Sequence, residues 1–337
     1  MELLGLDKTQ LASLCRELGC PTFRAKQIAE WMYAKGARSF AEMTNLPAVL
    51  REQLAERAEL TRSEVVTTST ADDGTAKYLL RFGDGQTVEA VLLPYADRLS
   101  VCVSSQIGCP AGCVFCATAD CGFARNLTGG EIVDQVLTLQ ELAARRITHV
   151  VFMGMGEPLL NYDNVMGAVR VLNSEVGIGM RRLTISTIGI PQAIRRLMTE
   201  DLQLTLAVSL HAPNDEMRRR LIPLSARHPL GEVVSTCREY AETTKRRVTF
   251  EYLLLGGIND SPVHAEELAR LLRHTLCNVN LIPYNRVPGK PFQRPRKEAI
   301  KAFRGVLEAH GVDVTQRLER GHEVAAACGQ LKRHHIN

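Results

Sequence analysis

From Leu99 onward the chain alternates short apolar strands with amphipathic helices, and this alternation most narrows what it can fold into. LSVCVSS (99–105) precedes a helix over GEIVDQVLTLQELAARR (130–146) and a strand, THVVFM (148–153). A helix near 162–174 leads into RLTISTI (182–188), and QAIRRLMTE leads into LTLAVSL (204–210). A helix near 230–244 precedes RVTFEYLLL (247–255), and HAEELARLLRH precedes VNLIPY (279–284). RKEAIKAFRGVLEAHG then precedes a closing strand, DVTQRLE (313–319). Strands joined by helical crossovers form a parallel sheet with right-handed connections. Six such units fall short of a complete eight-unit barrel, so the expected fold is α/β, a partial (β/α)6 TIM-like barrel. Working residues of such barrels lie at the C-terminal ends of the strands.

Ahead of the barrel the character differs. In residues 1–62, LDKTQLASLCREL and AKQIAEWMYAKG carry apolar residues at helical spacing, with Asp7 and Thr9 as candidate caps and Gly19 and Gly36 as candidate stops. This predicts a small helical accessory domain. Residues 63–98 form a short β extension through KYLLRF (77–82) and TVEAVLLP (87–94), with turns at Gly83-Asp84-Gly85 and near Asp97. The barrel then spans 99–319, and 320–337 form a C-terminal loop and tail. No run approaches the roughly 18 apolar residues of a membrane helix. The start, MELLGLDKTQ, lacks the basic and apolar regions of a signal peptide. The ten cysteines are too sparse for a secreted disulfide scaffold and read as reduced thiols in a cytoplasm.

Three of those cysteines, Cys109, Cys113 and Cys116, stand in GCPAGCVFC as CxxxCxxC, in the loop after the first barrel strand. Three thiolates are one short of a closed tetrahedral zinc site and one short of the four that usually fill a 4Fe-4S cluster. A three-cysteine cluster leaves one iron with an open position. Spacing alone leaves a cluster, a zinc site and a group of buried thiols all open. GMGEP, with Gly156 and Glu157, follows the second strand, where small residues let backbone approach a ligand closely.

The CxxxCxxC spacing resembles that of the radical S-adenosylmethionine (SAM) superfamily, in which the open iron chelates SAM. In chain order, CVSSQIGCPAGCVFCATADCGFARNLTGGEIVDQV, FMGMGEPLLNYDNV, RLTISTIGIP, AVSLHAP, EYLLLGGINDSPVHAEEL, NLIPYNRVPG and AAACGQL together resemble the RlmN family of radical SAM RNA methyltransferases. PTFRAKQIAEWMY and FAEMTNLP extend the likeness into the helical domain.

The resemblance implies that Cys109, Cys113 and Cys116 bind a 4Fe-4S cluster, shielded by Phe115. It implies SAM contacts from Gly156, Glu157, Ser186, Ser209, Leu210, His211 and Asn285, with two SAM molecules used per turnover. It implies that Cys328 accepts a methyl group, that a 5′-deoxyadenosyl radical takes hydrogen from it, and that the carbon radical adds to adenine carbon 2. Cys102 then attacks Cys328, releasing the product from a protein–RNA adduct and leaving a transient disulfide. Glu89, among Val88, Val91 and Leu92, matches the family's general base, and apolar neighbours suit a carboxyl of raised pKa.

The implied substrates are an adenosine of 23S rRNA and the adenosine beside the anticodon of certain tRNAs, with a flavodoxin-type reductant and a monomeric enzyme. Read singly, Glu157 fits a surface carboxylate, Ser186 a helix cap, His211 a structural histidine and Glu89 a solvated strand residue. Cys15, Cys20, Cys121, Cys237 and Cys277 read as ordinary thiols. CATADCGF departs from the family's usual glycine-containing form, and His322 stands where Asp is commoner. Net charge is only +4, but clusters at Arg218–Arg220, at Lys245–Arg247 and at Lys290, Arg294, Arg296 and Lys297 suit phosphate contacts. Two alternatives stand beside this reading: a Cfr-like carbon 8 methyltransferase, disfavoured by GMGEPLLN in place of a GMGEA form, and a non-catalytic zinc-stabilised RNA-binding protein.

Overall fold

Asp7 begins the first helix as expected. In this computed structural model, which describes residues 1–318, 320–321 and 323–332, the Asp7 carboxylate accepts from the Gln10 backbone N–H at 2.9 Å. The Gln10 side chain accepts from the Asp7 N–H in return, a capping box for α1 (Lys8–Glu17). Thr9, the other candidate cap, lies inside α1. Gly19 and Gly36 both take positive φ, 67° and 68°, the left-handed conformation that ends a helix. α2 (Arg24–Ala29) runs into a π-helical turn at Glu30–Ala34, and α3 (Ala48–Arg57) completes the helical unit.

Four antiparallel strands follow: β1 (Glu64–Thr70), β2 (Ala76–Arg81), β3 (Thr87–Pro94) and β4 (Leu99–Cys102). A hairpin of β5 (Gln106–Gly108) and β6 (Phe123–Asn126) precedes α4 (Gly129–Leu142). The alternation then runs β7 (His149–Phe152), α5 (Tyr162–Ser174), β8 (Leu183–Thr187), α6 (Pro191–Met198) and β9 (Thr205–Ser209). It continues through α7 (Asp215–Leu221), α8 (Leu230–Thr244), β10 (Val248–Leu254), α9 (Pro262–Leu272), β11 (Cys277–Pro283), α10 (Lys297–Ala309) and β12 (Asp313–Gln316).

Among the described residues ten strands make one sheet, in the order β1-β2-β3-β4-β7-β8-β9-β10-β11-β12. From β4 onward every pairing is parallel. β12 was expected to close the barrel; among the described residues it pairs with β11 alone and forms the sheet's edge. Glu319, the last residue of that expected strand, lies outside the described residues, as does His322. The 63–98 segment adds its strands to the barrel's own sheet through the β3–β4 ladder.

The helical unit docks on α4. Tyr33 Oη donates to Leu6 O at 2.7 Å and accepts from Gly5 N at 3.0 Å. A Cβ at Gly5 would stand 2.6 Å from Gly130 N, so the approach of this loop to the start of α4 requires glycine. The buried Arg62 guanidinium pairs with Asp134, reaches Glu141 at 2.8 Å and donates to Gly36 O at 3.2 Å. No helix among the described residues is long and apolar enough to cross a membrane.

Candidate active site

The β5–β6 hairpin forms the neck of the cysteine loop. Gly108 has φ 77°, and a Cβ there would fall 1.7 Å from Gly122 O, while Cys109 N donates to that same oxygen at 3.0 Å. The loop is therefore pinched shut behind its first cysteine. Its far side is held from outside: Val114 N donates to Leu221 O at 3.1 Å, Leu224 N to Ala111 O at 3.3 Å, and Ala117 N to Gly329 O at 2.7 Å. GMGEP packs behind it. A Cβ at Gly156, whose φ is 108°, would meet Ser105 Oγ and Gln106 N at 2.6 and 2.8 Å. The small residues expected to admit a ligand thus admit the chain that leads into the cysteine loop.

Cys109, Cys113 and Cys116 line a cavity of about 160 Å³ with Glu157, Ser186, Ser209 and His211, at the C-terminal ends of the strands. Phe115 joins the wall and meets the His211 ring edge-on at 5.2 Å. All three thiols are free, and among the described residues no three His, Cys, Asp or Glu side chains converge closely enough to hold one metal ion. Three thiolates are one short of a closed zinc site and suit a cluster, in which each takes a different iron. Burial, and then repulsion from Glu157 and Cys116, push the Cys109 thiol up to about 12, and Cys113 lies well above its ordinary value for the same reasons. A donor set of this kind becomes a set of thiolates when cationic iron is present, and in this respect it fits a cluster.

Glu157 is buried and divided among backbone donors. Its Oε1 accepts from Leu159 N at 3.0 Å and its Oε2 from Ile188 N at 2.7 Å. Burial dominates and raises its pKa to about 7, against the lowering effect of these donors and of Thr187. With three donors on its two oxygens, the carboxylate keeps acceptor capacity for one ligand cation. His211 holds φ 59°, and its Nδ1 accepts from Leu253 N at 3.0 Å. A backbone N–H can only donate, so the neutral ring carries its proton on Nε2. Burial, then Arg218, lower its pKa to about 3. The Leu210 side chain is buried outside the cavity wall, and its N–H is committed to Glu251 O at 3.0 Å.

Cys328 lies in the wall shared by this cavity and a smaller one of about 40 Å³. The second holds Cys102 and Asn285, whose buried Oδ1 has no partner among the described residues. Burial, then Cys328, push the Cys102 thiol up to about 12. Residues 320–321 and 323–332 form a strap across the mouth. Thr118 Oγ1 donates to Leu331 O at 2.6 Å, Gln330 Nε2 to Arg286 O at 2.9 Å, and Gly321 N to Asp73 Oδ2 at 3.2 Å. Glu89 lines neither cavity; it lies under the strap, 2.9 Å from Lys77 Nζ and accepting from Lys332 N at 2.8 Å. The apolar surroundings expected for it are broken by these two donors.

Two buried charges went unnoticed in the sequence. Arg317, directly after β12, lines both cavities; Cys328 first, and then Glu251 and Cys102, raise its pKa, while burial raises both thiols and Arg317 only opposes that rise. Glu251 on β10 lines the larger cavity, raised by burial and held by Asn280 Nδ2 at 2.8 Å. RVTFEYLLL and DVTQRLE did contain a charge inside a strand and one at its end, the available signal. The basic clusters separate. Arg218 is fully buried and donates to Ile188, His228 and Ser209 carbonyls, so it cannot meet phosphate. Lys245–Arg247 sit at the start of β10, the sheet end opposite the cavities. Lys290, Arg294 and Arg296 lie between β11 and α10 on the cavity side, with Lys297 opening α10, and Lys290 pairs with Asp120 of the cysteine loop.

The chain matches the sequence model of the Radical SAM superfamily over residues 103–271. It matches that of the ribosomal RNA large subunit methyltransferase N-terminal domain over residues 1–60. A probable dual-specificity RNA methyltransferase RlmN from Gloeobacter violaceus is 53% identical over 335 residues, 99% of this chain and 96% of that protein. Its namesake from Thermosynechococcus vestitus is 51% identical over 98% of each chain. A radical SAM methyltransferase from Sphaerobacter thermophilus, known from its crystal structure, superposes with a TM-score of 0.94 at 49% identity, over 98% of this chain and 99% of that one.

Proposed function

The chain belongs to the RlmN family of dual-specificity radical SAM RNA methyltransferases, and we propose that it methylates carbon 2 of an adenosine in 23S rRNA and of adenosine 37 in certain tRNAs. The observation that carries this reading is the position of Cys328. It borders both the cavity of the three loop cysteines and the cavity of Cys102. A methyl carrier has to face its methyl donor on one side and the thiol that later displaces it on the other.

When bound, the cluster and SAM supply the methyl group and the hydrogen-abstracting radical. Cys109, Cys113 and Cys116 would hold the cluster. Glu157 would receive the α-ammonium group of SAM through its remaining acceptor capacity. Ser186, Ser209 and His211 Nε2–H would offer hydrogen bonds from the same wall, Gly156 its backbone and Leu210 its main-chain carbonyl, and Asn285 its amide oxygen, unpartnered among the described residues, from beside Cys102. Cys328 would accept the methyl group and carry its carbon to the RNA. Glu89 would take the proton from carbon 2 once the strap shifts to admit the base. Cys102 would then attack Cys328 sulfur, freeing the methylated adenosine and leaving a disulfide. An adenine reaching this depth has to leave its stack. The basic residues Lys290, Arg294, Arg296 and Lys297 and the helical unit 1–62 would hold its backbone, and the enzyme would be a cytoplasmic monomer served by a flavodoxin-type reductant.

The test is nucleoside mass spectrometry of rRNA and tRNA from a strain lacking the gene, with complementation. Loss of 2-methyladenosine, restored by the wild-type gene and not by Cys328→Ala, is expected. Persistence of 2-methyladenosine with loss of 8-methyladenosine would instead make this a carbon 8 enzyme of the Cfr kind.

A further inference from the structure

Glu89 is 2% exposed, and its main-chain oxygen is fixed by Ser104 Oγ at 2.8 Å. Lys77, one strand away on β2, pairs with Val91, two residues beyond Glu89 on β3, so both side chains leave the same face of the ladder. The Lys77 ammonium stands 2.9 Å from Glu89 Oε1 and also donates to Ala325 O at 3.3 Å. Ala325 belongs to the strap, three residues before Cys328, and takes φ 50°, so this carbonyl is presented by a constrained turn. Lys332 N, four residues after Cys328, closes the arrangement on Glu89 Oε2 at 2.8 Å. The segment bearing the methyl carrier is thus tied at both of its ends to one carboxylate and its counter-ion.

We propose that Lys77 is a positioning residue of the methyl-transfer site: it fixes the Glu89 carboxylate in place and registers the Cys328 strap against that base. The proposal rests on the reading of Glu89 as base and Cys328 as carrier. Lys77 itself makes and breaks no bond. A carboxylate at this burial is strongly disfavoured without a cation, and an ammonium has three donors, enough for Glu89 and Ala325 together. Once the proton has moved to Glu89 the acid is neutral, its pull on the ammonium weakens, and the Ala325 contact becomes the main anchor. A purely structural ion pair would pin β2 to β3; this one also reaches a segment about 250 residues away in the chain, beside the reacting sulfur.

The experiment compares Lys77→Met, Lys77→Arg and Glu89→Gln as reconstituted holoenzymes. Cys328 methylation is read by intact-protein mass spectrometry, 2-methyladenosine by nucleoside analysis, and covalent protein–RNA adduct on denaturing gels. Lys77→Met is expected to methylate Cys328 as wild type does, to lose about 10- to 100-fold in product formation, the usual cost of removing a supporting partner, and to accumulate adduct. Lys77→Arg should recover most of the product. Hydrogen exchange on the metal-free protein should show residues 329–332 exchanging faster in Lys77→Met. Product formation within about twofold of wild type in Lys77→Met, with Glu89→Gln inactive, would overturn the role of Lys77. Full activity of Glu89→Gln would overturn the base instead. If Lys77→Met fails to fold, Lys77→Gln decides by the same criteria.

Discussion

His211 shows how one side chain is committed by its surroundings. Held at φ 59° with Nδ1 bonded to Leu253 N, it is locked neutral, with a pKa near 3 against an ordinary 6.5. Between those two values the unfolded chain binds a proton that the folded chain refuses. Stability is therefore complete above about pH 6.5 and falls as pH drops toward 3. At pH 5 the loss is about 2 kcal/mol, at roughly 1.4 kcal/mol per pH unit below the unfolded pKa. Urea unfolding at pH 7 and pH 5 should show wild type losing about that much more than His211→Asn, which tolerates the left-handed backbone and can still accept from Leu253 N; equal losses would refute it. The cysteines were legible because thiols at CxxxCxxC spacing have few uses. Arg317, Glu251 and Lys77 were not, since each owes its significance to partners on other strands. Arg218 misled for the converse reason: beside Arg219 and Arg220 it reads as surface charge, whereas the helix turns it into three carbonyls of the interior.

Elements long enough to bury an apolar stripe were legible almost to the residue: TVEAVLLP coincides with β3, and the helix expected near 230–244 is α8, Leu230–Thr244. The misses are short or polar. β1 reads EVVTTST and is mostly exposed at the sheet edge, β5 and β6 have three and four residues, and α7 is a seven-residue run of mostly charged side chains. None buries enough apolar surface to leave a periodic signal, yet the β5–β6 neck positions the cysteine loop. Gly108→Ala places a methyl where Gly122 O already lies and adds a left-handed backbone penalty of about 1–2 kcal/mol. The neck should open, and the variant reconstituted without air should hold well under half the iron of wild type. Full iron content would show that the loop does not depend on its neck.

At the scale of the molecule, the helical unit and the barrel are joined through charge buried between them. Arg62 and Asp134 side chains are 3% and 2% exposed, and Asp134 also accepts from Ser63 N at 2.8 Å. Arg62→Ala leaves that carboxylate buried without its cation and should cost about 3 kcal/mol, with much of it regained in Arg62→Ala/Asp134→Ala. Urea titrations of the four proteins would measure it, and a single variant as stable as wild type would refute it. The open sheet has its own logic, since β12 ends at Gln316 and the chain is then free to cross the mouth as the strap instead of closing the barrel. Ribosomes deliver a chain in order, so the sheet, the cysteine loop and its glycine neck all emerge before the strap that covers them. The segment that lies over the cysteine loop is thus among the last parts of the chain to be made, and it can take its place only on a loop and neck that already exist.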